Sequence, residues 1–113
     1  MQLTLDNIDA LKITDYIGGE LSCTCGKPHS IQMDKIVIEE GAVNKTAQVL
    51  EELGYKKALL VADANTWKAC GQLVAMVLKK EDFPFKTCIF AESSDDLVPD
   101  EAATGKIFIQ ADA

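Results

Sequence analysis

Asp63, Asn65 and Thr66 stand where an apolar run, Leu59-Leu60-Val61-Ala62, gives way to a helix start. A carboxylate at such a point can accept both hydroxyls of a ribose. A neighbouring amide and hydroxyl can bond a base, a sugar or a phosphate. Asp, Asn and Thr are also the ordinary residues of a helix N-terminus, so a cap and a nucleotide contact are both open readings. A second group is Cys23, Cys25 and His29, spaced C-x-C-x-x-x-H with Gly26 inside it. Thiolate and imidazole are good zinc ligands. A structural zinc site usually takes four ligands, however, and C-x-C crowds two of them onto one small turn. The competing reading is a surface loop with two free thiols, which Lys27 would make easier to ionise and oxidise. His29 is the only histidine, so no Ser-His-Asp set and no HExxH motif can be built.

The elements that would position these residues follow from hydrophobic spacing. Asp6 to about Ile17 reads as an amphipathic helix through Ile8, Leu11 and Ile17, and Gly18-Gly19 stops it. Residues 20–33 read as loop or short strand, so residues 1–34 form an N-terminal helix and arm. The compact part is then 35–113. Lys35–Ile38, Lys57–Ala62 and Phe85–Phe90 are predicted strands; short, wholly apolar runs such as Ile36-Val37-Ile38 suit a sheet covered on both faces. Val43–Leu53 and Asn65–Lys80 are predicted helices. The second carries an apolar stripe of Trp67, Cys70, Gly71, Val74, Val77 and Leu78. Cys70 and Cys88 are expected to act as small buried hydrophobes, and Trp67 as core or interface. After a polar, acidic loop at 92–96, read as a solvated face or a lip over the sheet edge, Pro99-Asp100-Glu101 opens a last helix running to about Gln110. Strand alternating with helix predicts a Rossmann-like parallel sheet with flanking helices, a three-layer α/β/α arrangement with right-handed crossovers. Parallel strands bring their carboxyl ends to one edge. Asp63, Asn65 and Thr66, with Pro99 and Asp100 nearby, are therefore the candidate nucleotide contacts.

Composition narrows the classes. The formal charge is −7 and every basic residue is a lysine, which argues against a nucleic-acid binder that must neutralise phosphates with a basic face. No apolar run is long enough for a transmembrane helix, and the N-terminus has no secretory pattern. Four cysteines make no dense disulfide scaffold, and a reducing cytoplasm is the simplest compartment. There is no GxGxxG and no GxxxxGK[ST]. The first predicted strand is followed by Glu39-Glu40-Gly41-Ala42, whose acids would repel a pyrophosphate.

Four segments in order carry a resemblance: Cys23-Thr-Cys25-Gly26-Lys-Pro-His29, Ile36-Val37-Ile38-Glu39-Glu40-Gly41-Ala42, Val61-Ala62-Asp63-Ala64-Asn65-Thr66 and Leu97-Val98-Pro99-Asp100-Glu101. Together they resemble the N-terminal region of AraM-type glycerol-1-phosphate dehydrogenases, within the superfamily of dehydroquinate synthases and iron-containing alcohol dehydrogenases. The resemblance covers about residues 20 to 105. It implies a two-domain enzyme whose N-terminal half binds NAD or NADP and whose helical C-terminal half holds a divalent metal (Zn, Ni or Fe) with Asp and His ligands. The substrate would be a small phosphorylated polyol. It also implies that Asp63, Asn65 and Thr66 lie on the adenosine side of the cofactor, and that a glycine-rich phosphate loop and the metal ligands lie beyond Ala113. On that reading the 113 residues are the truncated cofactor-binding part of a longer enzyme and do not turn over alone. The rival readings are a dehydroquinate synthase-like or other metal-dependent alcohol dehydrogenase fragment, and a stand-alone domain that binds a nucleotide or a partner. Ile107 and Phe108, an apolar pair with no following strand, predict self-association into a homo-oligomer.

Overall fold

The computed structural model describes residues 2–3, 8–91 and 97–112. The chain divides into two compact units, Met1–Glu40 and Gly41–Ala113. Each is described by itself.

The first unit holds a small sheet of β1 (Gln2–Leu3), β2 (Glu20–Ser22) and β3 (Pro28–Ser30), in that order. β1 runs parallel to β2, and β2 pairs antiparallel with β3 in the register Glu20↔Ser30, Leu21↔His29 and Ser22↔Pro28. Residues 23–27 turn the hairpin. Gly26 takes φ 84°, a left-handed conformation that glycine adopts without steric cost, and its N–H donates to the Cys23 carbonyl at 3.1 Å. The expected helix from Asp6 to Ile17 does not form as one element. Residues 4–7 lie outside the described residues, and the remainder makes two separate 3-10 turns, Ile8–Ala10 and Ile13–Tyr16. The Asp15 carboxylate accepts the Lys12 N–H at 2.9 Å, which starts a new turn in the middle of the expected helix. Local carboxylate-to-backbone bonding of this kind competes with a continuous helix.

The expected strand at Lys35–Ile38 is also corrected. Residues 35–38 carry no strand, and Ile38 is 75% exposed. Three consecutive β-branched residues favour an extended backbone, but a strand exists only through pairing, and pairing is not written in the run itself.

In the second unit, β4 (Ala58–Asp63) and β5 (Phe85–Phe90) pair parallel in one unbroken register from Ala58↔Phe85 to Asp63↔Phe90. A 3-10 turn at Ala42–Lys45 leads into α1 (Thr46–Glu52). α1 ends in a Schellman motif: Tyr55 donates to the Leu50 carbonyl and Gly54 to that of Glu51, with Gly54 at φ 84°. The long helix predicted at Asn65–Lys80 forms without a break, as a first turn α2 (Ala64–Thr66), a π turn at Trp67–Gly71, and α3 (Gln72–Lys80). α3 closes with a second Schellman motif, in which Phe83 donates to the Leu78 carbonyl and Asp82 to that of Lys79. Asp82 supplies the left-handed residue at φ 54°.

That second cap builds the core. It returns Phe83 onto Leu78, and both are buried with Ala47 of α1; Leu50, Ala58, Val74, Val77 and Phe85 pack around them. Ala58 and Phe85 thus mark the sheet face covered by α1 and α3. The pleat puts Cys88 and Phe90 on the other face. There α4 (Glu101–Asp112) packs, with the Lys106 ammonium 4.6 Å from the Phe90 ring centre. Helices on both faces of a parallel ladder give the α/β layering expected from the sequence, with two strands in this ladder among the described residues instead of the expected three.

Cys88 is buried as expected, but Cys70 is exposed. The π turn inserts one residue into the helical phase, so Gly71, not Cys70, faces inward, and Val74, Val77 and Leu78 follow from it.

Candidate functional site

Asp63 is both the last residue of β4 and the N-cap of α2. Its Oδ1 accepts the Thr66 N–H at 2.8 Å and the Thr66 hydroxyl at 2.9 Å, and the Thr66 Oγ1 accepts the Asp63 N–H at 2.9 Å. This reciprocal box satisfies backbone donors that a helix start leaves open. The Thr66 backbone N–H, then the Thr66 hydroxyl and the Asn65 N–H, hold the Asp63 carboxyl below its ordinary value of 3.8. The site therefore presents a permanent carboxylate at the carboxyl end of a parallel strand. Both bonds that the carboxylate accepts from Thr66 use Oδ1. Thr66 spends its hydroxyl on the cap, whereas the Asn65 side chain is exposed beside it.

Behind the cap, the π turn folds Trp67 back along its own helix. A Cβ on buried Gly71 would come within 2.8 Å of the indole Cε3. The ring is half-buried by this packing, the structural use expected for it. π turns recur beside functional sites, and this one directly follows the Asp63–Thr66 box.

Pro99 and Asp100 lead into α4. Asp100 caps that helix, its Oδ1 accepting the Ala103 N–H at 2.9 Å. Pro99, Asp100 and Glu101 line a shallow groove of about 850 Å³ that runs along α4 to Phe108. Asp63, Asn65 and Thr66 do not line it. A second cavity of about 310 Å³ lies at the opposite, amino ends of the strands, between Ala58, Phe85 and Gln110. The acidic segment at 92–96, read from sequence as a lip, lies outside the described residues.

Sequence reasoning missed Lys106. Its ammonium donates to the Ile89 carbonyl at 3.2 Å and sits over Phe90, the register partner of Asp63. A cation is thus fixed at the carboxyl edge of an otherwise acidic chain. The available signal was the antiparallel return of α4 along β5, which brings its first turns to that edge.

Cys23, Cys25 and His29 also converge. Their ligand atoms all lie within 4.8 Å of one another, the only such cluster among the described residues. The divalent metal that the resemblance implies needs Asp and His ligands. The chain has one histidine, already committed beside two thiols, so these residues do not fit that metal.

A parallel α/β unit with helices on both faces belongs to the class of open α/β folds, whose ligands bind at the carboxyl ends of the strands. Comparison with known proteins is more specific. Over 91 residues, 79% of this chain, it is 37% identical to glycerol-1-phosphate dehydrogenase [NAD(P)+] of Halalkalibacterium halodurans. Over 111 residues, 97% of the chain, it is 29% identical to the protein of the same name from Geobacillus thermodenitrificans. The chain is similar to these two glycerol-1-phosphate dehydrogenases, the family that its four ordered segments resemble. It spans about a quarter of the length of these relatives, 23% and 26%. No family model matches it, and no solved structure matches it significantly. No helix among the described residues is long and apolar enough to cross a membrane.

Proposed function

We propose that this chain forms part of the cofactor-binding half of an NAD(P)-dependent glycerol-1-phosphate dehydrogenase, with the Rossmann-like sheet edge as the adenosine-side contact. The observation that carries the reading is the similarity to two dehydrogenases of that name, which extends through the Asp63–Thr66 segment. The reaction moves a hydride between NAD(P)H and dihydroxyacetone phosphate to give glycerol 1-phosphate. The bound nicotinamide supplies the hydride, and the protein supplies orientation and electrostatics. The contribution of these residues is binding. Asp63, ionised and fixed by its own cap, accepts hydroxyls of the adenosine ribose. Asn65 offers an exposed amide at the same corner. Lys106 offsets negative charge at the edge, and Pro99-Asp100 borders it from the start of α4. The four free cysteines suit a reducing cytoplasm.

The test is a titration of NADH and NADPH into the 113-residue chain and its variants. Asp63→Asn keeps a good N-cap residue but removes the charged acceptor. The expected result is an affinity about tenfold weaker, the usual consequence of losing a hydrogen bond to a charged group. Unchanged affinity in a folded Asp63→Asn chain, or no nucleotide binding by the parent chain, would sink the reading.

We also propose that the chain self-associates through α4, where Phe108 and Ile109 are 71% and 70% exposed. Light scattering should show a dimer or larger species, and Phe108→Asp should return it to monomer. A monomer at high concentration contradicts this.

A further inference from the structure

The hairpin of the first unit carries a group of side chains that nucleotide binding does not use. The antiparallel register sets Ser22 opposite Pro28, so Cys23 and Cys25 lie in the five-residue turn and His29 stands one residue beyond it on β3. Cys25 Sγ lies 3.1 Å from His29 Nε2. The Cys25 N–H points at Cys23 Sγ, 3.4 Å away. Gly26, in its left-handed conformation, closes the turn, its N–H donating to the Cys23 carbonyl at 3.1 Å.

We propose that Cys23, Cys25 and His29 form a zinc site on this hairpin, with two thiolates and one imidazole as ligands and the fourth position open to solvent or an external ligand. Zinc–sulfur bonds of about 2.3 Å and zinc–nitrogen bonds of about 2.0–2.1 Å place tetrahedral ligand atoms about 3.6–3.8 Å apart. The three ligand atoms already lie within 4.8 Å of one another with no ion between them, so small side-chain rotations suffice. Little ordering remains to be done on binding, because the β2–β3 pairing holds both ends of the turn. The donor set selects a borderline-soft cation over magnesium or calcium, which take oxygen ligands. The N–H donated to Cys23 Sγ is the kind of outer bond that stabilises a ligating thiolate. That bond, with the Cys25 and His29 side chains, also lowers the Cys23 thiol from 9.0 to about 7. The set differs from the Asp and His ligands of the metal implied for the parent enzyme, and it stands independently of nucleotide binding.

The test uses the reduced 113-residue chain and Zn2+ alone, titrated against a chromophoric chelator. One equivalent should bind per chain. Cys25→Ser and His29→Gln should each weaken binding by at least the roughly 10–100-fold typical of losing even an outer-shell partner. A readout without variants is alkylation mapped by mass spectrometry: zinc should slow modification of Cys23 and Cys25 by about tenfold or more and leave exposed Cys70 unchanged. Absence of stoichiometric uptake, equal uptake by the Cys23→Ser/Cys25→Ser double variant, or alkylation of Cys23 and Cys25 unaffected by zinc would each overturn the site.

Discussion

Leu78→Ala should lower the stability of the second unit by about 3 kcal/mol, within the roughly 2–5 kcal/mol range for truncating a buried leucine. Leu78 is 1% exposed and Ala47 and Phe83 are the other buried members of its cluster. With so few fully buried side chains, neighbours cannot refill the lost volume without disturbing a cap. Leu78 offers its carbonyl to Phe83, and its side chain is what Phe83 packs on, so the truncation loosens both the core and the stop of α3. A small domain rarely holds more than about 3–5 kcal/mol from a single core, so most of the margin should go. Urea unfolding followed by the fluorescence of Trp67, the sole tryptophan, reads the change. Leu73→Ala, at a position 50% exposed, is the control and should stay within about 0.5 kcal/mol. A loss below about 1 kcal/mol for Leu78→Ala would mean that the core lies elsewhere.

What could be read from the residues alone divides along a physical line. Strand β5 was legible at Phe85–Phe90, and β4 to within one residue, because each is an apolar run bounded by turn residues. The stop of α1 at Gly54 was legible because a left-handed position strongly favours glycine. The end of α3 fell at Lys80 as expected, but the left-handed residue that closes it, Asp82, was not legible, because aspartate takes that conformation only at some cost. The π turn was invisible: a sequence stripe assumes one constant helical phase, and a single inserted residue moved Cys70 to the surface and Gly71 inward. Lys35–Ile38 looked like a strand for want of any local signal that pairing would be absent. At the site, Asp63 and Thr66 could be read as a cap or as a ligand contact, and the geometry makes the cap real while leaving the carboxylate charged. Lys106 and the convergence of His29 with two cysteines depend on how separate elements return to one place. Spacing hinted at the second and was silent on the first.

Given dihydroxyacetone phosphate, NADH and any divalent cation, the 113 residues alone should form no glycerol 1-phosphate above the rate without protein. Two kinds of residue that the proposed reaction needs are missing from them. Polarising the ketone calls for a Lewis acid held against it, a contribution worth several kcal/mol, or roughly 10³–10⁴ in rate. The chain's one histidine stands with two cysteines on an exposed hairpin, and no Asp and His set accompanies it among the described residues. Holding the pyrophosphate calls for successive backbone N–H groups at a glycine-rich turn. The second unit opens instead on a single glycine, Gly41, directly after the acids Glu39 and Glu40, and Gly41 leads only into the short turn Ala42–Lys45. The proposed adenosine-side contacts would therefore act without the groups that place the nicotinamide or activate the carbonyl. Binding and turnover should separate: the nucleotide titration should respond to Asp63→Asn while absorbance of NADH stays flat over hours of incubation with substrate and metal. NADH loss that requires both dihydroxyacetone phosphate and metal, and that disappears when the protein is omitted, would show that these residues hold a complete active site after all.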